Sequence, residues 1–136
     1  MLTRSNSPAL RILVADDSAE ASDLLAEFLR ARGHSVRVEY DGESAAEAAL
    51  LERFDVAVLD IEMPLLDGWE LARSIRSRAP DTLLYAVSGL AEAGAVERSG
   101  AAGFDDHFRK PVGFPALVDR IERWALGRSA TAQTDA

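Results

Sequence analysis

The sequence predicts an open, doubly wound α/β domain, a parallel sheet with helices on both faces. Two observations predict it. Short apolar runs rich in β-branched residues alternate with helical segments five times along the chain, with no internal repeat or linker. Strands separated in this way pair in parallel and need cover on both faces, and right-handed crossovers leave the open sheet as the natural arrangement. A third observation agrees: 136 residues, 48% hydrophobic and 28% charged, make one ordinary domain with a real core.

The elements follow in order. Residues 10–15 (LRILVA) read as a buried strand running at once into Asp16, Asp17 and Ser18, with an acid or Ser18 capping the next helix. Residues 19–31 carry Leu24, Leu25, Phe28 and Leu29 at helical spacing and stop at Gly33. Residues 35–39 alternate Val36 and Val38 with polar neighbours, as an edge-side strand does, and the Ala- and Glu-rich stretch 42–51 is expected to be helix. Residues 55–59 (DVAVL) form a second apolar strand and deliver Asp60 at its end. A loop over 61–67, punctuated by Pro64, leads to Asp67 and Gly68, which open a helix to about residue 78. A third buried strand over 83–87 ends at Ser88 and Gly89, and a short helix is expected over 91–99. Residues 105–108 form a brief strand before Lys110 and Pro111, and residues 115–126 an amphipathic helix through Leu117, Val118, Ile121 and Trp124. The expected domain spans 10–126, after a polar extension over 1–9 and before a small, polar tail over 127–136 expected to be disordered.

Composition narrows the function classes. The net charge of −8 argues against direct nucleic-acid binding, which usually needs a basic face. There is no cysteine, so disulfides and thiolate metal sites are excluded. No apolar run reaches membrane-spanning length and the start lacks a signal peptide's apolar stretch, so a cytoplasmic protein is expected. Of fifteen basic residues only Lys110 is a lysine. Either this is a compositional accident, or Lys110 sits where a compact ammonium is needed and a planar guanidinium would not fit.

In an open parallel sheet, ligands bind beyond the carboxyl ends of the strands. There the chain places Asp16 and Asp17, Asp60, Ser88 and Lys110, from four different strands. One acid after a strand is ordinarily a cap or a solvated turn; four such groups at one edge point to phosphoryl chemistry. Carboxylates gathered together repel and are costly to bury. A divalent cation relieves that cost, and all-oxygen ligation by few groups suits Mg²⁺. Asp60 could then attack phosphorus as a carboxylate nucleophile, with Lys110 and the Ser88 hydroxyl meeting the phosphoryl oxygens. The product is a labile acyl phosphate, suited to a reversible signal.

The pieces ILVADDS (12–18), VLDIEMPLLDGWEL (58–71), VSG (87–89) and HFRKP (107–111) occur in this order with domain-wide spacing. In them the chain resembles the receiver domain of response regulators, the phosphorylated half of two-component signalling, over roughly residues 10–126. The resemblance implies a flavodoxin-like sheet in strand order 2-1-3-4-5. It implies phosphorylation of Asp60 by a histidine kinase or a histidine phosphotransfer protein. It implies Mg²⁺ held by Asp17, Asp60 and the backbone carbonyl of Glu62, with Asp16 acting through water. Lys110 matches the lysine that meets the phosphoryl group, its bond to Pro111 one that is typically cis, and Ser88 the hydroxyl that turns toward the phosphate. Such a domain is a phosphoryl acceptor with at most slow self-dephosphorylation, not a turnover enzyme.

Two departures touch the read-out. His107 stands where the family often has an aromatic that rotates inward, which leaves it either a switch partner of Ser88 or a half-buried strand residue. Leu90 and Glu62 flank the phosphoryl site at positions suited to steering water. The chain ends ten residues after the last expected helix, so a stand-alone receiver is expected, its output an unknown protein partner that meets the face of the fourth helix, fifth strand and fifth helix. The rivals are a small aspartyl-phosphate phosphohydrolase, with Glu62 as its acid, and a phosphorylation-independent interaction module. Other residues invite plainer readings. His34 is expected to meet helix-end carbonyls, and Trp69 and Trp124 to pack or form interfaces. The Arg73, Arg76 and Arg78 group is expected to be solvated, and Glu20 to favour its helix N-terminus.

Overall fold

A computed structural model describes residues 6–89 and 94–134, with side chains described as far as residue 128. Five strands, β1 (Arg11–Ala15), β2 (Ser35–Glu39), β3 (Val56–Asp60), β4 (Leu83–Ser88) and β5 (Asp106–Arg109), alternate with α1 (Ala19–Ala31), α2 (Gly42–Leu51), α3 (Gly68–Arg78), α4 (Ala95–Ala102) and α5 (Phe114–Thr134). All strand pairs are parallel, in the order β2-β1-β3-β4-β5. The expected fold class and strand order are both present.

Strand periodicity sorts the core into two layers. Ile12, Val14, Val56, Val58, Tyr85 and Val87 point to one face and pack with Leu25 and Leu29 of α1 and Leu117 and Ile121 of α5. Leu13, Ala15, Ala57, Leu59, Leu84 and Ala86 point to the other and pack with α2, α3 and α4. That alternation also aims the residues at the strand ends. Asp16, Asp60 and Lys110 continue the α1/α5 series, whereas Ser88 and His107 continue the series that faces α4.

Side-chain caps start three helices where the sequence places them. Ser18, rather than an acid, caps α1 by accepting from the Ala21 N–H, which leaves Asp16 and Asp17 for other work. Asp41 caps α2 and Asp67 caps α3.

Four expectations shift. The fourth helix begins at Ala95 rather than 91, after Gly94 at φ +89°, and residues 91–93 and Leu90 lie outside the described residues. The fifth helix continues through residues 127–134, where a disordered tail is expected; the alanines there favour helix, and the lone Gly127 does not stop it. His34 is buried and meets the helix end only through its backbone N–H, which donates to the Leu29 carbonyl at 3.2 Å. Its side chain turns elsewhere, with Nδ1 accepting the Leu10 N–H at 3.1 Å and Nε2 2.9 Å from Glu122, which also pairs with Arg32. Arg76 is not merely solvated. Its guanidinium donates to the carbonyls of Pro80, Thr82 and Gly103 and to the Asp105 carboxylate, tying α3 to the end of α4 and the start of β5.

Candidate functional site

Asp60 closes the central strand β3 and is almost wholly buried. Its Oδ1 accepts the Glu62 N–H at 3.0 Å, and its Oδ2 lies 3.2 Å from Lys110 Nζ. The same ammonium lies 3.2 Å from Asp16 Oδ2, so one lysine bridges two buried acids. Asp16 Oδ1 in turn accepts the Ser18 N–H at 2.9 Å, which turns the chain into α1. Asp17 is exposed beside them, and Asp16, Asp17 and Asp60 each bring a carboxylate oxygen to within 4.8 Å of the others.

Burial pushes the Asp60 carboxyl up from 3.8 to about 7; the Glu62 N–H opposes this, the neighbouring charge of Asp16 adds to it, and Lys110 pulls back. Burial works against the Lys110 ammonium, yet the charges of Asp60 and Asp16 hold its pKa above the ordinary lysine value. The cluster therefore carries more negative charge than one lysine neutralises. All-oxygen donors so close together, two of them buried, fit a hard divalent cation.

The remaining expected residues surround this centre. The Lys110 N–H donates to the Ser88 carbonyl at 2.8 Å, which sets where the lysine leaves β5, and Ser88 is fully buried at the end of β4. The Lys110–Pro111 peptide is cis, as expected. Glu62 does more than flank Asp60: its Oε1 accepts the Gly89 N–H at 3.0 Å, bridging the loops after β3 and β4. His107 is half-buried, and its Nδ1 lies 2.7 Å from Ser99 Oγ on α4. That hydroxyl also accepts the Trp69 indole N–H at 3.0 Å, while the Arg98 guanidinium stacks over the Trp69 ring at 3.8 Å. Burial lowers the His107 pKa below its usual value, and the Asp106 charge opposes this in part.

Two contributors escape a reading of motifs. Ser99 carries no pattern of its own and matters only through the partners that α4 brings to it. Gly68 has a signal, the Asp-Gly pair that opens α3, but its reason is steric: a Cβ there would lie 2.5 Å from the Asp60 carbonyl oxygen.

A family model described as the response regulator receiver domain matches residues 12–122. The chain is 32% identical to the transcriptional regulatory protein RprY of Bacteroides fragilis, over 83% of this chain and 48% of that protein. It is 33% identical to the response regulator MprA of Mycobacterium avium, over 93% of this chain and 55% of that one. The chain thus spans about half the length of these relatives. Among solved structures, a CheY-like receiver domain protein from Methanospirillum hungatei superposes with a TM-score of 0.85 at 25% identity, covering 91% of this chain and 99% of that one. The receiver domain of DrrB in a BeF3-activated form gives a TM-score of 0.78 at 28% identity, covering 85% and 97%. No helix among the described residues is long and apolar enough to cross a membrane. The chain belongs to the response regulator receiver domain family of two-component systems.

Proposed function

We propose that this receiver takes a phosphoryl group on Asp60 from a histidine kinase or histidine phosphotransfer protein. One observation carries the reading: a buried carboxylate at the end of the central strand shares a single lysine with Asp16 and lies within 4.8 Å of an acid pair. Mg²⁺ would be held by Asp17, Asp60 and the Glu62 carbonyl, with Asp16 through water, and when bound it supplies the positive charge that ionises Asp60 and offsets an incoming phosphoryl group. Asp60 then attacks through a carboxylate oxygen, Lys110 pairs with the phosphoryl oxygens as a compact charge, and the Ser88 hydroxyl donates a further hydrogen bond. Self-dephosphorylation is slow, so the domain stores a signal instead of turning over a substrate.

The read-out runs through α4. Ser88 and His107 continue the same face of the sheet, and His107 is joined to Ser99. A change at Ser88 reaches α4 through His107, biasing a two-state arrangement of the face formed by α4, β5 and α5, which an output partner reads. The named relatives are about twice as long, and one is called a transcriptional regulator, so the output can be a region or a protein that contacts DNA. The receiver's own net charge of −8 argues against direct nucleic-acid contact.

The test is incubation with Mg²⁺ and a small phosphodonor, followed by intact mass, and with the fluoride–beryllium mimic, followed by Trp69 fluorescence. A stoichiometric phosphoryl gain that Asp60→Asn abolishes is expected. Steady turnover of phosphate esters would favour a phosphohydrolase instead.

A further inference from the structure

Beside Asp60 lies a cavity of about 450 Å³, within the range of sites that hold small organic ligands. Asp16, Asp60 and Lys110 line one part of it, and Val58, Val87 and Leu117 supply apolar walls. The room comes from the start of α1, where the cap Ser18 and the lining residues Ala21 and Ser22 are small, and Leu25 one turn on adds a further apolar wall. The Ser22 hydroxyl is committed to its own helix through the Ser18 and Ala19 carbonyls, so that wall behaves as an apolar one. The sheet alternation explains the placement: Asp16, Asp60 and Lys110 point to the same face as this apolar layer. An apolar chamber therefore adjoins the group that would receive phosphorus.

The chemistry at its polar end selects a ligand class. An aspartyl phosphate is a mixed anhydride of a carboxylic and a phosphoric acid. A donor must hold its phosphoryl group in a bond of comparable energy, and another carboxylic–phosphoric anhydride meets that condition without a co-reactant. We propose that the cavity seats the apolar acyl group of a small-molecule acyl phosphate, so that this chain loads Asp60 from such donors and prefers acyl groups larger than acetyl. The proposal rests on the reading of Asp60 as acceptor. An Asp60 oxygen bonds to phosphorus as the phosphorus–oxygen bond to the acyl group breaks, and the acyl group departs as its carboxylate. No electrons change hands, and no proton is needed. Each methylene moved from water into apolar surroundings strengthens binding about fourfold, so a hexanoyl donor stands well above acetyl.

The test compares acetyl phosphate with hexanoyl phosphate on the whole chain with Mg²⁺, at equal concentrations below saturation, reading phosphoryl gain by intact mass. Hexanoyl phosphate is expected to label at least ~10-fold faster, and Asp60→Asn to be labelled by neither. Filling the cavity with Ala21→Phe, or from the facing loop with Val112→Trp, is expected to collapse the hexanoyl-to-acetyl ratio toward one. Equal rates in the wild type, or a ratio that survives both fillings, overturn the proposal and leave the acceptor reading intact. No labelling by either donor overturns both.

Discussion

Ser99 and His107 are joined at 2.7 Å across the seam between α4 and β5, and the Trp69 indole donates to the same Ser99 hydroxyl. An indole N–H only donates, so the serine oxygen must accept from it. The hydroxyl proton is then free to point at His107 Nδ1 when that nitrogen is unprotonated. Three elements, α3, α4 and β5, are thereby linked through one oxygen atom.

Ser99→Ala leaves the buried Trp69 N–H without its partner and is expected to destabilise the domain by about 1–3 kcal/mol. Urea denaturation followed by Trp69 emission measures this. The emission change on adding the fluoride–beryllium mimic should also shrink, because α4 no longer reports on His107. A variant with unchanged midpoint and unchanged response would show that the linkage carries neither stability nor signal.

His107 gives that linkage a pH dependence of known sign. Its folded pKa lies below the ordinary histidine value because burial disfavours the charged ring. A group depressed in this way contributes stability above its unfolded pKa, about 6.5, and loses it as pH falls through the folded value. Below that point protonated Nδ1 can no longer accept from Ser99. The wild type is therefore expected to lose more stability than His107→Gln between pH 7 and pH 5. An NMR titration placing His107 at or above 6.5 would refute this.

Asp60 has the opposite sign. Its folded pKa is raised to about 7, so its contribution is fully present below about 3.8 and is lost as pH rises through about 7. Without divalent metal, Asp60→Asn should be increasingly more stable than wild type from pH 4 to pH 7, with a constant gap above that. The plateau is on the order of a few kcal/mol. Adding Mg²⁺ should close the gap by stabilising the wild type alone. Thermal melts across pH, with and without chelator, decide it; a gap that is flat with pH overturns the electrostatic account.

The fold was largely legible because it rests on repeated local signals. Four of the five strands are largely apolar or alternate, β5 (DHFR) being the exception, the acid or hydroxyl before α1, α2 and α3 marks its start, and right-handed crossovers do the rest. The cluster of Asp16, Asp60 and Lys110 was legible for the same reason: topology sends every strand end to one edge, and these residues need only be read off the ends. What stayed hidden depends on contacts between distant segments. His34 finds Glu122 eighty-eight residues away, and Arg76 gathers carbonyls from three separate turns and strands. No local pattern announces such partners. The α5 boundary failed differently: small residues after Gly127 look like a tail, yet a helix already under way extends cheaply through alanines.

The lone lysine offers a sharp substitution. Lys110 Nζ sits 3.2 Å from both Asp16 and Asp60, so a single atom serves both acids, whereas a guanidinium is larger and spreads its donors over a fixed plane. Lys110→Arg is expected to retain the fold and bind Mg²⁺ while losing at least about tenfold in Asp60 labelling rate, equivalent to 1.4 kcal/mol in the barrier. Circular dichroism, Mg²⁺ titration and intact mass separate the three effects. Labelling at the wild-type rate would mean that the choice of lysine is compositional.

The contacts of Arg76 bear on how a signal could leave the molecule. At the C-terminal end of α4, Gly103 and the adjoining start of β5 are clamped by that guanidinium, and Ser99 is pinned from both sides. At the other end Gly94 provides no side-chain cap and sits in the left-handed region. A rod held more firmly at one end than at the other swings about the firmer end. On the proposed read-out α4 acts as a lever with its fulcrum near Gly103, and a displacement of His107, passed to Ser99 midway along the helix, grows toward Ala95 and the exposed Val96.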